Sequence, residues 1–290
     1  MMAQMNNPYV LPDGNVKIAF SGGRTSGYML HQILEANGDL PERCKVVFAN
    51  TGREMPETLD FVQECSERWR VPITWLEYKN DDDGVGFNVV NHNSASRNGE
   101  PFDNLIAKRR RLPNVFERFC TQEMKVLTMR RYLVKQGWKT WHSAVGIRAD
   151  EAHRAKIRAD SKETTYWPLL KRQVCQHDIM EFWGKQKLAF QHDLKVTKGF
   201  GNCDGCFLKS EQTLATLWRL HPERARWWSD QEARHFKGND PARQHLQTFK
   251  RKSEGGSSYA ELGSFVQRQG DWIFDDEAYL CQADGGECTG

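Results

Sequence analysis

The fold of this chain follows from the stretch VKIAFSGGRTSGYML, residues 16–30. An apolar run ends in Ser-Gly-Gly, and a helix-like spacing of apolar residues follows, which is typical of a strand, a turn and a helix N-terminus. Two adjacent glycines let backbone N–H groups converge on an anion without a Cβ in the way. Ser21, Thr25 and Ser26 add hydroxyl donors at the positive end of the helix dipole. We therefore expect residues 21–26 to bind phosphate; the alternative is an ordinary strand-to-helix turn.

Strands and helices alternate along the rest of the first two-thirds of the chain. Apolar runs predict further strands at residues 45–50, 73–76 and 140–146, and periodic apolar patterns predict helices at residues 27–36, 56–69, 122–135 and 178–187. This alternation predicts a parallel sheet whose ligands bind beyond the carboxyl ends of its strands. Residues 80–111, rich in Asn, Asp, Gly and Arg, predict a long loop or lid. We expect one α/β domain over residues 1–200 and a smaller helical, basic region over residues 201–290.

Composition limits the class of protein. The chain has 290 residues, enough for one large domain and an appendage, and its net charge of +3 excludes a polycation. Its apolar stretches are too short for a membrane helix, and the first seven residues lack the pattern of a signal sequence. We expect a cytoplasmic protein without a membrane partner. Eight cysteines in a reducing compartment favour metal, cluster or redox chemistry over disulfides.

Five motifs occur in a fixed order between residues 15 and 210. They are SGGRTS at 21–26, FANTGRE at 48–54 with PETLDFV at 56–62, RFCT at 118–121 with Lys125, GIRADE at 146–151 with Arg154, and WPL at 167–169 with HDI at 177–179. Together they resemble the phosphoadenosine phosphosulfate (PAPS) reductase superfamily, part of the adenine nucleotide α-hydrolase group with the PP-loop. Within it, the chain is most similar to the iron–sulfur sulfurtransferase-like branch. A lone Ser-Gly-Gly turn is weak evidence, whereas the ordered set is specific.

The resemblance implies a fold of the HUP type, Rossmann-like, with a mostly parallel five-stranded sheet flanked by helices. It also implies that the first loop holds the phosphates of ATP and that the end of the second strand lies beside the adenosine. The implied nucleotide-binding residues are Ser21, Gly22, Gly23, Arg24, Thr25, Ser26, Asn50, Thr51, Gly52, Gly146 and Arg148.

The implied catalytic residues are Ser21, Lys125 and Arg148. Arginine forks onto phosphate oxygens and lysine supplies a point charge, so that both types suit the neutralisation of ATP phosphates. Mg²⁺ would accompany ATP, with Asp150 or Glu151 as candidate ligands. For Arg148 the alternative is a surface salt bridge with one of these two carboxylates.

The form of the first loop separates two branches of the superfamily. Members that cleave ATP between the α and β phosphates keep Ser-Gly-Gly-x-x-Ser, as this chain does. Members that reduce sulfonucleotides usually have a modified loop and carry a nucleophilic cysteine in a C-terminal Glu-Cys-Gly-(Ile/Leu)-His. The sequence given ends in GECTG, residues 286–290, which shares only Glu-Cys with that motif. The resemblance therefore favours ATP.

Cysteines supply the second candidate site. Cys203 and Cys206 form a Cys-x-x-Cys turn whose two thiolates can chelate one ion or occupy two corners of a cluster. By resemblance, Cys120 lies where iron–sulfur members place a ligand; Cys288 is the first choice for a fourth ligand and Cys281 the second. Four thiolates fit zinc and iron–sulfur equally, and the resemblance favours [4Fe-4S]. A redox dithiol at Cys203 and Cys206 is the competing interpretation. Cys44, Cys65 and Cys175 lie within apolar-patterned elements, and we expect them to be small core residues.

Basic and aromatic residues cluster at residues 108–111 and again after residue 210, where Trp218, Trp227 and Trp228 alternate with Arg and Lys. This combination suits a nucleic-acid surface and equally a solvated helical face over a tryptophan core.

Three hypotheses follow. The first is an enzyme that adenylates an acceptor with ATP and transfers sulfur to a nucleic acid or nucleotide, with a sulfur-donor protein as partner. The second is a reductase of adenylyl sulfate or its 3′-phosphorylated form, with Cys288 as nucleophile and sulfite as product. The third is a metal-stabilised nucleic-acid-binding module without catalysis. The acceptor, the donor and the oligomeric state do not follow from the sequence.

Overall fold

Six strands form one sheet in the computed structural model, which describes residues 7–80, 82, 84–156, 160–186, 199–235, 248–249 and 257–269. The strands are β1 (Val16–Ala19), β2 (Cys44–Asn50), β3 (Ile73–Tyr78), β4 (Phe87–Val90), β5 (Trp141–Ala144) and β6 (Glu163–Tyr166), in the spatial order β4-β3-β2-β1-β5-β6. All neighbours are parallel except β4, which runs antiparallel to β3. The mostly parallel, HUP-type sheet expected from the sequence is confirmed, with six strands instead of five.

Helices cover the sheet and extend beyond it. They are α1 (Arg24–Asn37), α2 (Pro56–Arg68), α3 (Glu100–Arg109), a π-helix (Thr121–Leu127) that continues into α4 (Thr128–Lys135), a 3₁₀-helix (Ala149–Arg154), α5 (Pro168–Lys171), α6 (Gln176–Lys185), α7 (Glu211–Leu220), α8 (Pro222–His235) and α9 (Tyr259–Gln269). The described residues contain no helix that is both long and apolar enough to cross a membrane.

The stretch predicted as a long loop, residues 80–111, instead contains β4 and α3. Its few apolar residues explain the difference. Phe102, Leu105 and Ile106 are spaced as one face of a helix and are almost fully buried, and Phe87 pairs with Tyr78 in the sheet. Apolar burial of this size, about 1.5–3 kcal/mol for each large side chain, outweighs the unfavourable Asn- and Gly-rich composition around it.

Three clusters of buried side chains hold the helices against the sheet and against one another. The first joins α1, α2 and α6 to the sheet, and Gly27 allows the closest approach, because a Cβ there would lie 2.9 Å from the ring of Trp183. The second packs α4 against β2 and β3 on the other face. The third joins α3 and the Cys203–Cys206 turn to α7, α8 and α9, around Trp228. The Cys-x-x-Cys turn is thus part of a packed core.

Candidate functional site

The predicted phosphate loop is held in shape by its own side chains. The Ser26 hydroxyl accepts a hydrogen bond from the Ser21 N–H (3.1 Å), donates to the Gly23 carbonyl (3.0 Å) and lies 3.0 Å from the Ser21 hydroxyl. Gly22 has φ +78°, and a Cβ there would lie 2.9 Å from Thr58 of α2. Because α1 begins directly after Gly23, the positive end of its dipole lies at this loop. The geometry suits an anion such as a phosphate.

Arg148 connects the end of β5 to this loop. Its Nη1 donates to the Thr25 hydroxyl at 3.2 Å, and its guanidinium pairs with Asp150 (3.0 Å) and Glu151 (3.6 Å). Arg148 is only 5% exposed, and the salt bridges considered from the sequence are both present: Glu151 is buried, whereas Asp150 lies at the surface. Burial acts to raise the pKa of Asp150, but the hydrogen bond and charge of Arg148 outweigh it and leave that pKa below its ordinary value. The buried backbone of Gly146 precedes Arg148.

The end of β2 is a buried polar turn. The Asn50 amide donates to Glu77 (2.6 Å) and to the Ser96 carbonyl (2.9 Å) and accepts from the Gly52 N–H (3.2 Å). Thr51 donates to Glu54 through both its N–H and its hydroxyl, each at 2.8 Å. These are the residues that the resemblance placed beside the adenosine, and their contact with a nucleotide stays a prediction.

The same turn reaches the cysteines. The Thr51 hydroxyl lies 3.3 Å from the Cys203 Sγ, and Glu54 and Cys203 form an isolated antiparallel β-bridge. Cys203, Cys206 and Cys120 all line one small cavity, whose other walls include Arg118, Phe102 and Trp228. The structure therefore brings together three of the four predicted metal ligands. Cys288 and its alternative Cys281 lie outside the described residues.

Lys125 belongs to this cavity. It lies on the π-helix that follows Cys120, lines the cavity, and donates from Nζ to the Asn202 side chain at 3.2 Å. Sequence reasoning assigned Lys125 to the phosphates of ATP together with Arg148. The structure places its ammonium group beside Asn202, the residue before Cys203, and its role toward a phosphate stays a prediction.

A compact group of three His, Cys, Asp or Glu side chains able to hold a single metal ion is absent from the described part of the chain. The three cysteines share a cavity without forming such a group.

A buried ionic network holds the cysteine turn in place and was missed from the sequence. Asp204, between the two cysteines, accepts hydrogen bonds from Arg53 (2.8 Å), Arg224 (2.5 Å) and the Trp228 indole (2.8 Å). Burial lowers the pKa of Arg53, and the Asp204 charge opposes that shift. A Cβ on Gly205 would lie 2.3 Å from Trp228 Nε1. The only local signal was an acidic residue inside a Cys-x-x-Cys motif.

Comparison with known proteins shows which protein family the chain resembles. The model of the phosphoadenosine phosphosulfate reductase domain matches residues 15–173. The uncharacterized nin region protein ORF290 of Escherichia phage lambda is 30% identical over 207 residues, which cover 68% of this chain and 67% of that protein. Among solved structures, the U34-tRNA thiolase NcsA from Methanococcus maripaludis with its [4Fe-4S] cluster is similar at 12% identity and a TM-score of 0.42, over 99% of this chain and 84% of the other. A likeness at that TM-score carries no weight for function.

The family model spans more than half of the chain, from the strand before the phosphate loop to the end of α5. It therefore includes the loop, Cys120 and Arg148, and it supports nucleotide binding, sulfur chemistry and an enzyme of this group in general terms. This chain belongs to the phosphoadenosine phosphosulfate reductase domain family.

Proposed function

We propose that this protein is an ATP-dependent sulfurtransferase that acts on a nucleic acid or nucleotide. The observation that carries the proposal is the 3.3 Å contact between the Thr51 hydroxyl and the Cys203 Sγ. Thr51 follows β2, the neighbour of the strand that leads into the phosphate loop. Activation by ATP and delivery of sulfur would thus take place at one edge of the sheet.

At the phosphate loop, side chains and backbone groups of the protein would neutralise and orient the phosphates of ATP. The loop over residues 21–26 supplies backbone N–H groups and hydroxyls, and the buried Arg148 supplies a fixed positive charge already aligned by Asp150. Mg²⁺ would bind with ATP. An acceptor carbonyl oxygen attacks the α-phosphorus, an O–P bond forms, the bond to the β-phosphate breaks and pyrophosphate leaves.

In the second step a sulfur nucleophile at the oxidation level of sulfide adds to the activated carbon. The carbon–oxygen bond then breaks and AMP leaves with the acceptor's oxygen, so that sulfur replaces oxygen without a net change in oxidation state. A donor protein would deliver this sulfide. Lys125 and Arg118, which line the cysteine cavity, would attract the anion and hold it there.

Four thiolates fit zinc and iron–sulfur equally by geometry, and the resemblance favours a [4Fe-4S] cluster. Cys120, Cys203 and Cys206 line one cavity. Together with Cys288, or Cys281 in its place, they would hold a [4Fe-4S] cluster. When bound, the cluster would supply iron with affinity for sulfide.

The test is product analysis under anaerobic conditions, with ATP, Mg²⁺, sulfide and either bulk RNA or bulk DNA. We expect pyrophosphate and AMP in equal amounts, and sulfur in the nucleic acid, only when all components are present. Release of sulfite from adenylyl sulfate or its 3′-phosphorylated form with a thiol reductant, without pyrophosphate from ATP, would support the reductase instead. Nucleic-acid binding without any turnover would support the non-catalytic module.

A further inference from the structure

A second pocket, of about 370 Å³, opens between the start of α2 and the start of α8 and is used by neither step above. Its walls include Arg53, Glu57, Arg97, Glu223, Arg224 and Trp227. Its size falls within the range of about 300–1,000 Å³ that is usual for small-molecule sites. The mixture of both charges with an indole ring distinguishes it from a simple anion site.

Trp227 is a rigid wall of this pocket. The guanidinium carbon of Arg53 lies 4.8 Å from the centre of its ring, and the rings of Phe102 and Trp228 pack edge-on against it. Gly99, at φ +94°, lies so close that a Cβ there would be 2.8 Å from the indole and 2.9 Å from the Arg53 side chain. A half-buried tryptophan fixed in this way is suited to stacking against a flat ring.

The polar groups of the pocket present both donors and acceptors. Arg97 donates to two backbone carbonyls, those of Ala95 (2.8 Å) and His92 (2.7 Å), and lines the pocket. Glu57 contributes a carboxylate whose Oε2 is buried and has no hydrogen-bond partner among the residues that the structure describes. A buried acceptor of this kind calls for a donor, which a phosphate lacks and the N–H edge of a nucleobase offers.

The pocket also lies between the two halves of the proposed reaction. Glu57 is followed by Thr58, which packs against Gly22 of the phosphate loop, while Arg53 and Arg224 pair with Asp204 of the cysteine turn. We propose that this pocket receives one unpaired nucleobase of the acceptor, stacked on Trp227 and hydrogen-bonded by Glu57. This rests on the proposed function and specifies its acceptor as a nucleic acid with an unstacked base.

The probe is a hairpin, made once as RNA and once as DNA, with the fluorescent adenine isomer 2-aminopurine in its single-stranded loop. We expect quenching on binding to the full-length protein, and at least fivefold weaker binding with loss of quenching for Trp227→Leu, as base–aromatic stacking requires. Trp227→Phe should retain most of the affinity. Glu57→Gln should weaken binding, whereas the matched control Glu64→Gln, on the same helix and paired with Arg68, should not.

Two results would contradict the proposal that this pocket binds an unpaired nucleobase. One is equal binding of wild type and Trp227→Leu, with both folded by thermal unfolding, and the other is equal affinity for a fully paired duplex. A parallel titration with ATP distinguishes the acceptor's nucleobase from the adenine of ATP as the occupant of the pocket. If Trp227→Leu weakens ATP binding to the same degree as hairpin binding, the pocket holds the adenine of ATP and the acceptor assignment is wrong. A Trp227-dependent hairpin signal from a protein that shows no turnover of ATP would leave the pocket standing and remove the proposed function.

Discussion

Arg53 Nη2 donates to Asp204 Oδ2 at 2.8 Å, and both side chains are almost fully buried. Arg53 belongs to the turn after β2, and Asp204 stands between the two cysteines of the Cys-x-x-Cys turn. Arg224 of α8 shares the same carboxylate oxygen. One buried carboxylate thus ties the end of the sheet, the cysteine turn and the C-terminal helices together.

Removing this carboxylate should be costly. Asp204→Asn leaves two buried guanidinium groups without their counter-ion, and we expect a loss of about 3–5 kcal/mol in the free energy of unfolding. Urea denaturation of the purified variant measures it. Asp60→Asn, at an exposed carboxylate of α2, is the control and should change stability by less than about 1 kcal/mol. A near-neutral Asp204→Asn would show that the network does not hold the turn.

The phosphate loop depends on a glycine that also permits close packing. Gly22→Ala forces a Cβ to 2.9 Å from Thr58 at φ +78°, and we expect it to abolish ATP binding measured by calorimetry. Gly14→Ala is a matched control, because its φ is +83° but a Cβ there meets nothing within 4 Å. The control should lose only about 1–2 kcal/mol of stability to backbone strain and bind ATP normally. Equal ATP affinity in both variants would contradict the loop's role.

The planar guanidinium group of Arg148 should bind the phosphates of ATP through two hydrogen bonds. Arg148→Met removes a buried charge-assisted donor, and we expect ATP affinity to fall about 10- to 100-fold. Arg148→Lys should restore only part of this, since an ammonium group lacks the two-pronged geometry. Arg130→Met, at a pair with Asp160 away from the loop, is the control. Full affinity in Arg148→Lys would mean that charge alone is sufficient.

A buried ion pair in the sheet makes part of the stability depend on pH in the acid range. Lys17 on β1 lies 2.7 Å from Glu163 on β6. Burial acts to raise the pKa of Glu163, but Lys17 outweighs it and leaves that pKa below its ordinary value of 4.5. Because the folded-state pKa is the lower one, the pair stabilises the protein fully above pH 4.5 and less as pH falls through the folded-state value.

Unfolding in urea at several pH values checks this pair. The difference in free energy of unfolding between wild type and Glu163→Gln should be largest near neutral pH and shrink in acid. A difference that stays constant from neutral pH into the acid range would show that Glu163 does not titrate as described.

The regular part of the fold could be predicted because its signals are local. The strands β1, β2, β3 and β5 are apolar runs, and the loop at residues 21–26 carries its own turn chemistry. The elements β4 and α3 were missed because their apolar residues are few and lie among Asn, Gly and Arg. Only their packing against distant partners, such as Phe87 on Tyr132, fixes them.

The candidate site was predictable in part for the same reason. Cys203 and Cys206 were paired by their Cys-x-x-Cys motif, Cys120 was added by the family resemblance, and the structure brings all three to one cavity. The bond from Arg53 to Asp204 joins residues 151 positions apart, and nothing in either local sequence indicates the partner. Lys125 was assigned to phosphate by the family resemblance and its residue type, and in the structure it lies on the π-helix and donates to Asn202.

The proposed sulfur transfer depends on an iron–sulfur cluster held by Cys120, Cys203 and Cys206. Iron, acid-labile sulfide and zinc content of the anaerobically purified protein test it most directly. In the wild type we expect iron and sulfide in equal amounts. Cys65→Ser, whose cysteine is buried between α2 and the sheet, should have the same content as the wild type. Cys203→Ser should contain neither iron nor sulfide. Zinc without iron or sulfide in the wild type, or full iron in Cys203→Ser, would contradict the account.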